Sequence, residues 1–255
     1  MTTLVRHPYL DHPGPIAFAH RGGAAQGLEN TMAQFRRAVA AGYRYIETDV
    51  HATADGKLVA LHDATLDRVT DGAGRIADLP WEDVRHARVA GKEPIPLFEE
   101  VLEELPGVRW NVDVKAEPAL LPLLDLIERT DTWDRICVGS FSEARVVRAQ
   151  RLAGPRLATS YGTRGVLGLR LRSWGIPAVV RRSAVAAQVP EFHSGVPVVD
   201  HRFVRTAHAL GLQVHVWTVN EPDRMHRLLD LGVDGIMTDH IDTLRKVLEE
   251  RGTWA

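Results

Sequence analysis

The sequence predicts a (β/α)8 barrel of the triosephosphate isomerase type, with residues 1–255 as one domain and a short insertion after the second strand region. Three observations predict it. Short apolar runs rich in β-branched residues alternate with helical patterns from end to end, the mark of parallel βαβ units. About eight such units fit the length of 255 residues. The first strand runs into His20-Arg21-Gly22-Gly23, not into the G-x-G-x-x-G turn that opens a doubly wound dinucleotide fold.

In chain order, strands are expected at 16–19, 45–50, 59–61, 109–115, 136–140, 157–160, 186–189, 198–199, 213–219 and 235–238. Helical patterns fall at 32–41, 97–104, 119–128, 143–151, 202–210, 223–231 and 241–250. The first helix shows how its ends are set. Thr31 with Gln34 three residues later forms a capping-box pattern, Phe35, Ala38 and Val39 give an apolar face, and Gly42 can take the left-handed conformation that stops it. Residues 63–96, with scattered glycine, proline and charge, read as an excursion between strand and helix. In 162–182, Val166, Leu167, Leu169, Leu171 and Trp174 are interleaved with Arg164, Arg170 and Arg172. That stretch is either an amphipathic helix covering the barrel or an apolar lip over its mouth.

Composition narrows the function. With 45% hydrophobic and 25% charged residues the chain is an ordinary globular protein, and a net charge of −2 provides no electrostatic footprint for nucleic acid and no support for a membrane-surface role. No apolar run approaches the roughly 20 residues that span a bilayer, so no transmembrane segment is expected. Residues 1–15 carry Arg6, His7, Asp11, His12 and three prolines in place of a signal-peptide core, which predicts a cytoplasmic protein. Cys137 is the single cysteine, so an internal disulfide and a thiolate metal cluster are excluded. Between Ile136 and Val138 it reads as a small buried hydrophobe.

The chemistry sits on strand ends. In Tyr45-Ile46-Glu47-Thr48-Asp49-Val50-His51, strand alternation puts Glu47 and Asp49 on one face. Two carboxylates inside a barrel repel and raise each other's pKa unless a cation neutralises them, and a hard cation with oxygen ligands, Mg²⁺ or Ca²⁺, does so. The other reading is a solvent-facing edge strand. In Trp110-Asn111-Val112-Asp113-Val114-Lys115 the polar set alternates with the apolar set, which offers Asp113 as a third carboxylate ligand and Lys115 as a cation for phosphate, or the two as a plain ion pair. His20 and His62 each close a strand, and imidazole titrates near neutrality, so together they suit a general acid and a general base. Arg21, next to His20, has the fork that matches phosphate oxygens. His51 shares the face of Glu47 and Asp49 but ranks below the other two, because the strand gives way there to the turn at Ala54-Asp55-Gly56.

These pieces join in a set order. His20-Arg21-Gly22-Gly23, Leu28-Glu29-Asn30-Thr31, Glu47-Thr48-Asp49-Val50, Asp55-Gly56, His62-Asp63, Arg68-Val69-Thr70, Ile95-Pro96, Glu99-Glu100-Val101-Leu102, 111–115, Ser140-Phe141, Val216-Trp217-Thr218-Val219-Asn220 and 232–239 resemble the glycerophosphodiester phosphodiesterase family over nearly the whole chain. The resemblance is strongest over 16–70 and 213–239. It implies a calcium- or magnesium-dependent barrel hydrolase acting on a small-molecule phosphodiester and releasing glycerol 3-phosphate and an alcohol. It implies His20 and His62 as the acid–base pair, Glu47 and Asp49 on the metal, Arg21 and Lys115 on phosphate, and Trp217 as an apolar pocket wall. Leu28 stands where the family commonly has proline, His240 replaces a usual proline, and Asp113 stands where many members carry glutamate as third metal ligand. Two further readings compete: a lysophospholipase D, favoured if 166–174 forms an apolar lip, and a silent barrel that binds glycerophosphodiesters without turnover. The presence of both histidines and three carboxylates disfavours the silent barrel.

Overall fold

A computed structural model describes residues 7–180 and 183–255. Eight parallel strands, each followed by a helix, form the frame: β1 Ile16–His20, β2 Tyr45–Ala52, β3 Arg109–Val114, β4 Ile136–Gly139, β5 Ala158–Thr159, β6 Ala186–Pro190, β7 Gln213–Trp217 and β8 Gly235–Thr238. The helices are α1 Met32–Ala40, α2 Phe98–Glu104, α3 Leu120–Thr130, α4 Glu143–Ala153, α5 Thr163–Ser173, α6 His201–Ala209, α7 Pro222–Asp230 and α8 Ile241–Glu250. Hydrogen-bonded neighbours run β5-β4-β3-β2-β1-β8-β7-β6. The circle closes at a parallel bridge between Ser160 and Ala186, flanked by the bonds Tyr161 N–H to Ala186 O (3.0 Å) and Val185 N–H to Thr159 O (2.9 Å). The predicted barrel fold is therefore the observed one.

Two of the expected strands lie outside the circle. The run at 59–61 becomes Leu58–Ala60, paired antiparallel with the end of β2. Residues 198–199 form no strand: the chain makes a small hairpin of Phe192–His193 with Val196–Pro197, and Val199 is buried on the way into α6. A two-residue apolar run carries too little pattern to separate a strand from a buried connector. The excursion after β2 buries its own small core, with Val59, Leu61, Leu66, Ile76, Val84 and Val89 among its members.

Alternation along the strands sorts the side chains. Ile46, Val50, Trp110, Val112 and Val114 face outward into the main core beneath the helices. Trp110, fully buried, receives Phe35 of α1 and Phe98 of α2 edge-on, with ring centroids 5.0 and 5.8 Å away. The opposite faces of the strands fill the barrel: Ile16, Phe18, Tyr45, Cys137, Ala158 and Met237 make an apolar floor, joined by Tyr9 and Leu10. Cys137 is buried there as expected, and burial pushes its thiol pKa up.

Local chemistry fixes the first βα turn. The Thr31 hydroxyl accepts the Gln34 N–H at 3.3 Å, so the cap forms. The reciprocal half of the box does not, because the Gln34 amide turns to the Gly23 carbonyl instead. Gly42, at φ 90°, ends the helix as its spacing predicted. Gly22, at φ 80°, lies where a Cβ would stand 2.9 Å from the Phe35 ring, so only glycine lets the chain turn tightly from β1 onto α1.

Candidate active site

The polar end of the barrel interior stacks in register. His20 pairs with Glu47, Glu47 with Asn111, and Asp49 with Asp113 across neighbouring strands. The residues expected from alternation to share a face are thus brought together on β1, β2 and β3 above the apolar floor. Glu47 and Asp49 are buried, and Asp113 is half-buried.

The three carboxylates are not equivalent. Asp49 has the fullest set of partners: its Oδ1 accepts from Lys115 Nζ at 2.7 Å, and its Oδ2 accepts from Asn30 Nδ2 at 2.9 Å and lies 3.3 Å from Arg21 Nε. Burial works against its charge, but Lys115 and Arg21 outweigh it, and its pKa lies below the ordinary value. Among the described residues Glu47 accepts only the Arg21 backbone N–H, at 3.1 Å, and lies 3.7 Å from His20 Nε2. Burial, then the charge of Asp49, raise its pKa to about 7. Asp113 Oδ2 accepts from Lys115 Nζ at 2.7 Å, while its Oδ1 is buried without a hydrogen bond among the described residues, and burial raises its pKa. Lys115 and Arg21 supply Asp49 with positive charge, whereas Glu47 and Asp113 are less fully compensated. Lys115 thus stands in ion pairs with two carboxylates, Asp49 and Asp113. Its ammonium is favoured, since these charges outweigh its burial.

Each histidine is held by a carboxylate. His20 donates Nδ1–H to Asp239 Oδ1 at 2.7 Å. Burial opposes its imidazolium, but the charge of Glu47 and the bond to Asp239 prevail, and the pKa is raised. His62 donates Nδ1–H to Asp63 Oδ1 at 2.6 Å. The Arg68 fork grips Asp63 and brings its pKa down to about 2, then reaches Glu29 Oε1 at 2.6 Å. Glu29 in turn accepts Arg21 Nη1 at 3.1 Å. One continuous ionic chain therefore runs from His62 through Asp63, Arg68, Glu29 and Arg21 to Asp49. His51 is buried and donates Nε2–H to the His62 carbonyl at 3.1 Å, a support for the second histidine's backbone.

Sequence reasoning missed Asp239, Asp63, Arg68, Glu29 and Asn30 as working groups. Asp239 carried a usable signal, since it follows β8 as His20 ends β1, and those strands are neighbours. Asn30 directly precedes the Thr31 helix cap. It adopts φ 58° and bridges two residues of β2, donating to Asp49 and accepting Thr48 Oγ1 at 2.8 Å.

Trp217 ends β7 at the mouth, half-buried, with Phe141 packed edge-on at 5.7 Å; Phe141 is 64% exposed and 5.9 Å from Lys115 Nζ. Trp217 thus has an aromatic neighbour at the mouth, which its sequence context did not indicate. The apolar lip imagined for 166–174 does not form. Leu169 is fully buried in the outer core, Val166 packs on that core, and Trp174 lies over the Arg170 guanidinium at 4.4 Å. Arg181 and Arg182, the last residues of that stretch, lie outside the described residues.

Comparison with known proteins places this arrangement. The sequence model of the glycerophosphoryl diester phosphodiesterase family matches residues 20–243. A Mycobacterium tuberculosis protein named "Probable glycerophosphodiester phosphodiesterase 2" is 46% identical over 251 residues, covering 96% of this chain and 95% of its own length. The human lysophospholipase D GDPD1 is 29% identical, with 90% and 85% covered. Among solved structures, an Oleispira antarctica phosphodiesterase in complex with the product sn-glycerol-3-phosphate superposes with a TM-score of 0.77 at 22% identity, over 92% of this chain and 97% of that one, a likeness of fold. The chain belongs to the glycerophosphoryl diester phosphodiesterase family and is an enzyme of that class, a phosphoric diester hydrolase.

Proposed function

We propose that the chain hydrolyses glycerophosphodiesters to glycerol 3-phosphate and an alcohol with His20 and His62 as the acid–base pair and with a divalent cation, Ca²⁺ or Mg²⁺, as cofactor. The observation that carries this reading is the doubled histidine–carboxylate pair at one mouth. Each imidazole has Nδ1 tied to an aspartate, which leaves Nε2 as the atom that takes or gives a proton. His20, strengthened as a base by Glu47 and Asp239, accepts the proton of the nucleophile, either water or the neighbouring glycerol hydroxyl. His62 returns a proton to the leaving alkoxide. Arg21 has Nη2 free of hydrogen bonds among the described residues and is turned to a phosphate oxygen in this reading, with Lys115 beside it.

The donor set fits a hard cation. The chain of site charges holds six carboxylates, Glu29, Glu47, Asp49, Asp63, Asp113 and Asp239, against the permanent cations Arg21, Arg68 and Lys115. An anionic phosphodiester entering such a mouth is repelled unless positive charge is added. Glu47 and Asp113, whose Oδ1 is buried and unpartnered, would hold the ion together with Asp49. When bound, the ion supplies Lewis-acid polarisation of a phosphate oxygen and neutralises charge as it develops. Among the described residues no group of three or more His, Cys, Asp or Glu side chains is already arranged as a metal cage, since Lys115 stands between Asp49 and Asp113.

Lysophospholipase D is the second reading. The exposed Phe141 beside Trp217 supports it, as does the likeness to the human enzyme of that name. Product analysis with glycerophosphocholine, glycerophosphoethanolamine and lysophosphatidylcholine, each with and without metal, decides among these readings. Release of glycerol 3-phosphate from the first two is expected. A dominant turnover of lysophosphatidylcholine moves the assignment to lysophospholipase D, and no turnover of any substrate leaves a silent binder.

A further inference from the structure

The charge of this chain is divided very unevenly. Residues 144–190 contain nine arginines and no aspartate or glutamate, which leaves 22 basic against 33 acidic residues in the rest of the chain. A segment of net charge +9 is thus embedded in a remainder of −11, an asymmetry that the overall −2 conceals. Some of these arginines are spent within the fold: Arg145 and Arg148 pair with Glu117, Arg156 with Glu128 and Arg170 with Asp200. Arg151, Arg164 and Arg172 are exposed and make no ion pair with any described residue.

The same region carries exposed apolar side chains. Of the ten large hydrophobic residues exposed among the described residues, six fall between 141 and 179: Phe141, Leu152, Leu167, Trp174, Ile176 and Val179. Val179 is 93% exposed and Trp174, at the end of α5, 45%. Arg164, Leu167, half-buried Leu171 and Trp174 follow one another at i, i+3, i+7 and i+10, so they line the outward face of α5. The chain returning from α5 lays Val179 against Gly168, which brings Val179 alongside that face. A cleft of about 640 Å³ opens between α4 and α5, with Val147, Val179, Arg151 and Arg164 on its walls. This face is tied to the mouth, because Thr163 at the start of α5 donates its hydroxyl to the Phe141 carbonyl at 2.9 Å.

We propose that this face, the outer side of α5 with residues 174–179 and the free arginines around it, docks the enzyme on an anionic lipid surface. A soluble protein seldom exposes leucine, tryptophan, isoleucine and valine together, and the mixture of such residues with uncompensated arginine is the chemistry of an interfacial segment. Tryptophan and isoleucine enter the headgroup boundary while Arg164 and Arg172 meet lipid phosphates. An acidic protein partner satisfies the arginines equally well, but it does not account for the exposed apolar side chains set among them, which the headgroup boundary of a lipid surface takes up. Docking by this face sets Phe141, and with it the mouth, beside the membrane from which lysolipids and headgroup diesters come.

The test is co-sedimentation of the full chain with large unilamellar vesicles of phosphatidylcholine alone and of phosphatidylcholine with 30% phosphatidylglycerol (a composition of about that fraction suffices). Two double variants accompany it, Arg164→Glu/Arg172→Glu and Ile176→Ser/Val179→Ser, each placed on exposed positions that leave the core intact. Binding is expected to the anionic vesicles only and to be weakened by high salt. Each double variant is expected to lower the partition coefficient at least about tenfold, while hydrolysis of soluble glycerophosphocholine stays at the wild-type rate. Equal binding by the variants, or no binding to either vesicle, overturns the proposal. Self-association in size-exclusion chromatography, abolished by Ile176→Ser/Val179→Ser and unaccompanied by vesicle binding, also overturns it and gives the face to a second copy of the chain.

Discussion

Asp239→Asn removes one charge from the site while keeping the shape of the side chain. Asp239 accepts from His20 through Oδ1 at 2.7 Å and from Asn220 Nδ2 through Oδ2 at 3.2 Å, whereas the Asn220 carbonyl oxygen accepts the Asp239 N–H at 3.0 Å. An asparagine has one oxygen for these two donors, so whichever way it turns, one bond is lost. If the NH₂ faces His20, the imidazole must present a lone pair at Nδ1 and carry its proton on Nε2, where it can no longer accept one. Loss of a carboxylate that fixes the histidine tautomer costs on the order of 10²–10⁴-fold in turnover, about 2.7–5.5 kcal/mol of barrier. We expect kcat on glycerophosphocholine to fall by that factor with KM little changed, because Asp239 touches the histidine and not the phosphodiester. The assay is steady-state release of glycerol 3-phosphate, repeated in the His20→Ala background. There Asp239→Asn should add almost nothing, since the group it orients is gone. A full, multiplicative loss in the double variant would falsify the dyad and reduce Asp239 to a structural partner of Asn220.

The remaining expectations are shorter. Chelation with EDTA should abolish turnover, and Ca²⁺ or Mg²⁺ should restore it; Asp113→Glu should stay active and Asp113→Ala lose most activity, and undiminished activity in the stripped enzyme defeats the cation site. His62→Ala should cost at least about 10²-fold on choline esters and far less on a p-nitrophenyl ester, whose leaving group needs no proton, so an equal loss on both substrates removes His62 from the acid role. The Asp63 pKa, about 2 against an ordinary 3.8, is depressed, so its stabilisation is present above pH 3.8 and lost as the pH falls through 2. Asp63→Asn should therefore be destabilised at pH 7, by about 1 kcal/mol or less because the pair is largely solvent-screened, and the gap should close toward pH 2 in denaturant titrations; a constant gap refutes the linkage.

Much of the frame could be read from the residues because strand parity is strict. Once Trp110, Val112 and Val114 were recognised as one face, Asn111, Asp113 and Lys115 had to occupy the other, and the register brings Asp113 level with Asp49. The same parity joined Glu47 to Asp49. What parity cannot supply is the partner that arrives from another strand's loop. Asp239 is 219 residues from His20, and Glu29, held between Arg21 and Arg68, is 39 residues from Arg68. Such pairs depend on how barrel closure and the excursion after β2 place loops that have no periodicity of their own. The setting of Lys115 was open for a related reason: strand parity puts its ammonium on the face of Asp113 but cannot show that it lies 2.7 Å from both Asp49 and Asp113.

The failed lip at 166–174 shows where helical periodicity becomes ambiguous. Leucine and valine occupy both sides of α5: Val166 and Leu169 on one, Leu167, Leu171 and Trp174 on the other. An amphipathic pattern names an inward face only when one side is polar, and here arginine is interleaved with both. Packing resolves it through residues far along the chain. Arg170, buried, reaches Asp200 at the start of α6 at 2.7 Å, which fixes the rotation of α5 and turns Leu169 into the outer core. With that side committed, Leu167 and Trp174 are left outside as a consequence of the inward packing. A helix whose inner face is anchored by an ion pair can keep an apolar outer face without losing its place in the fold, and that outer face is then free to meet a surface other than water.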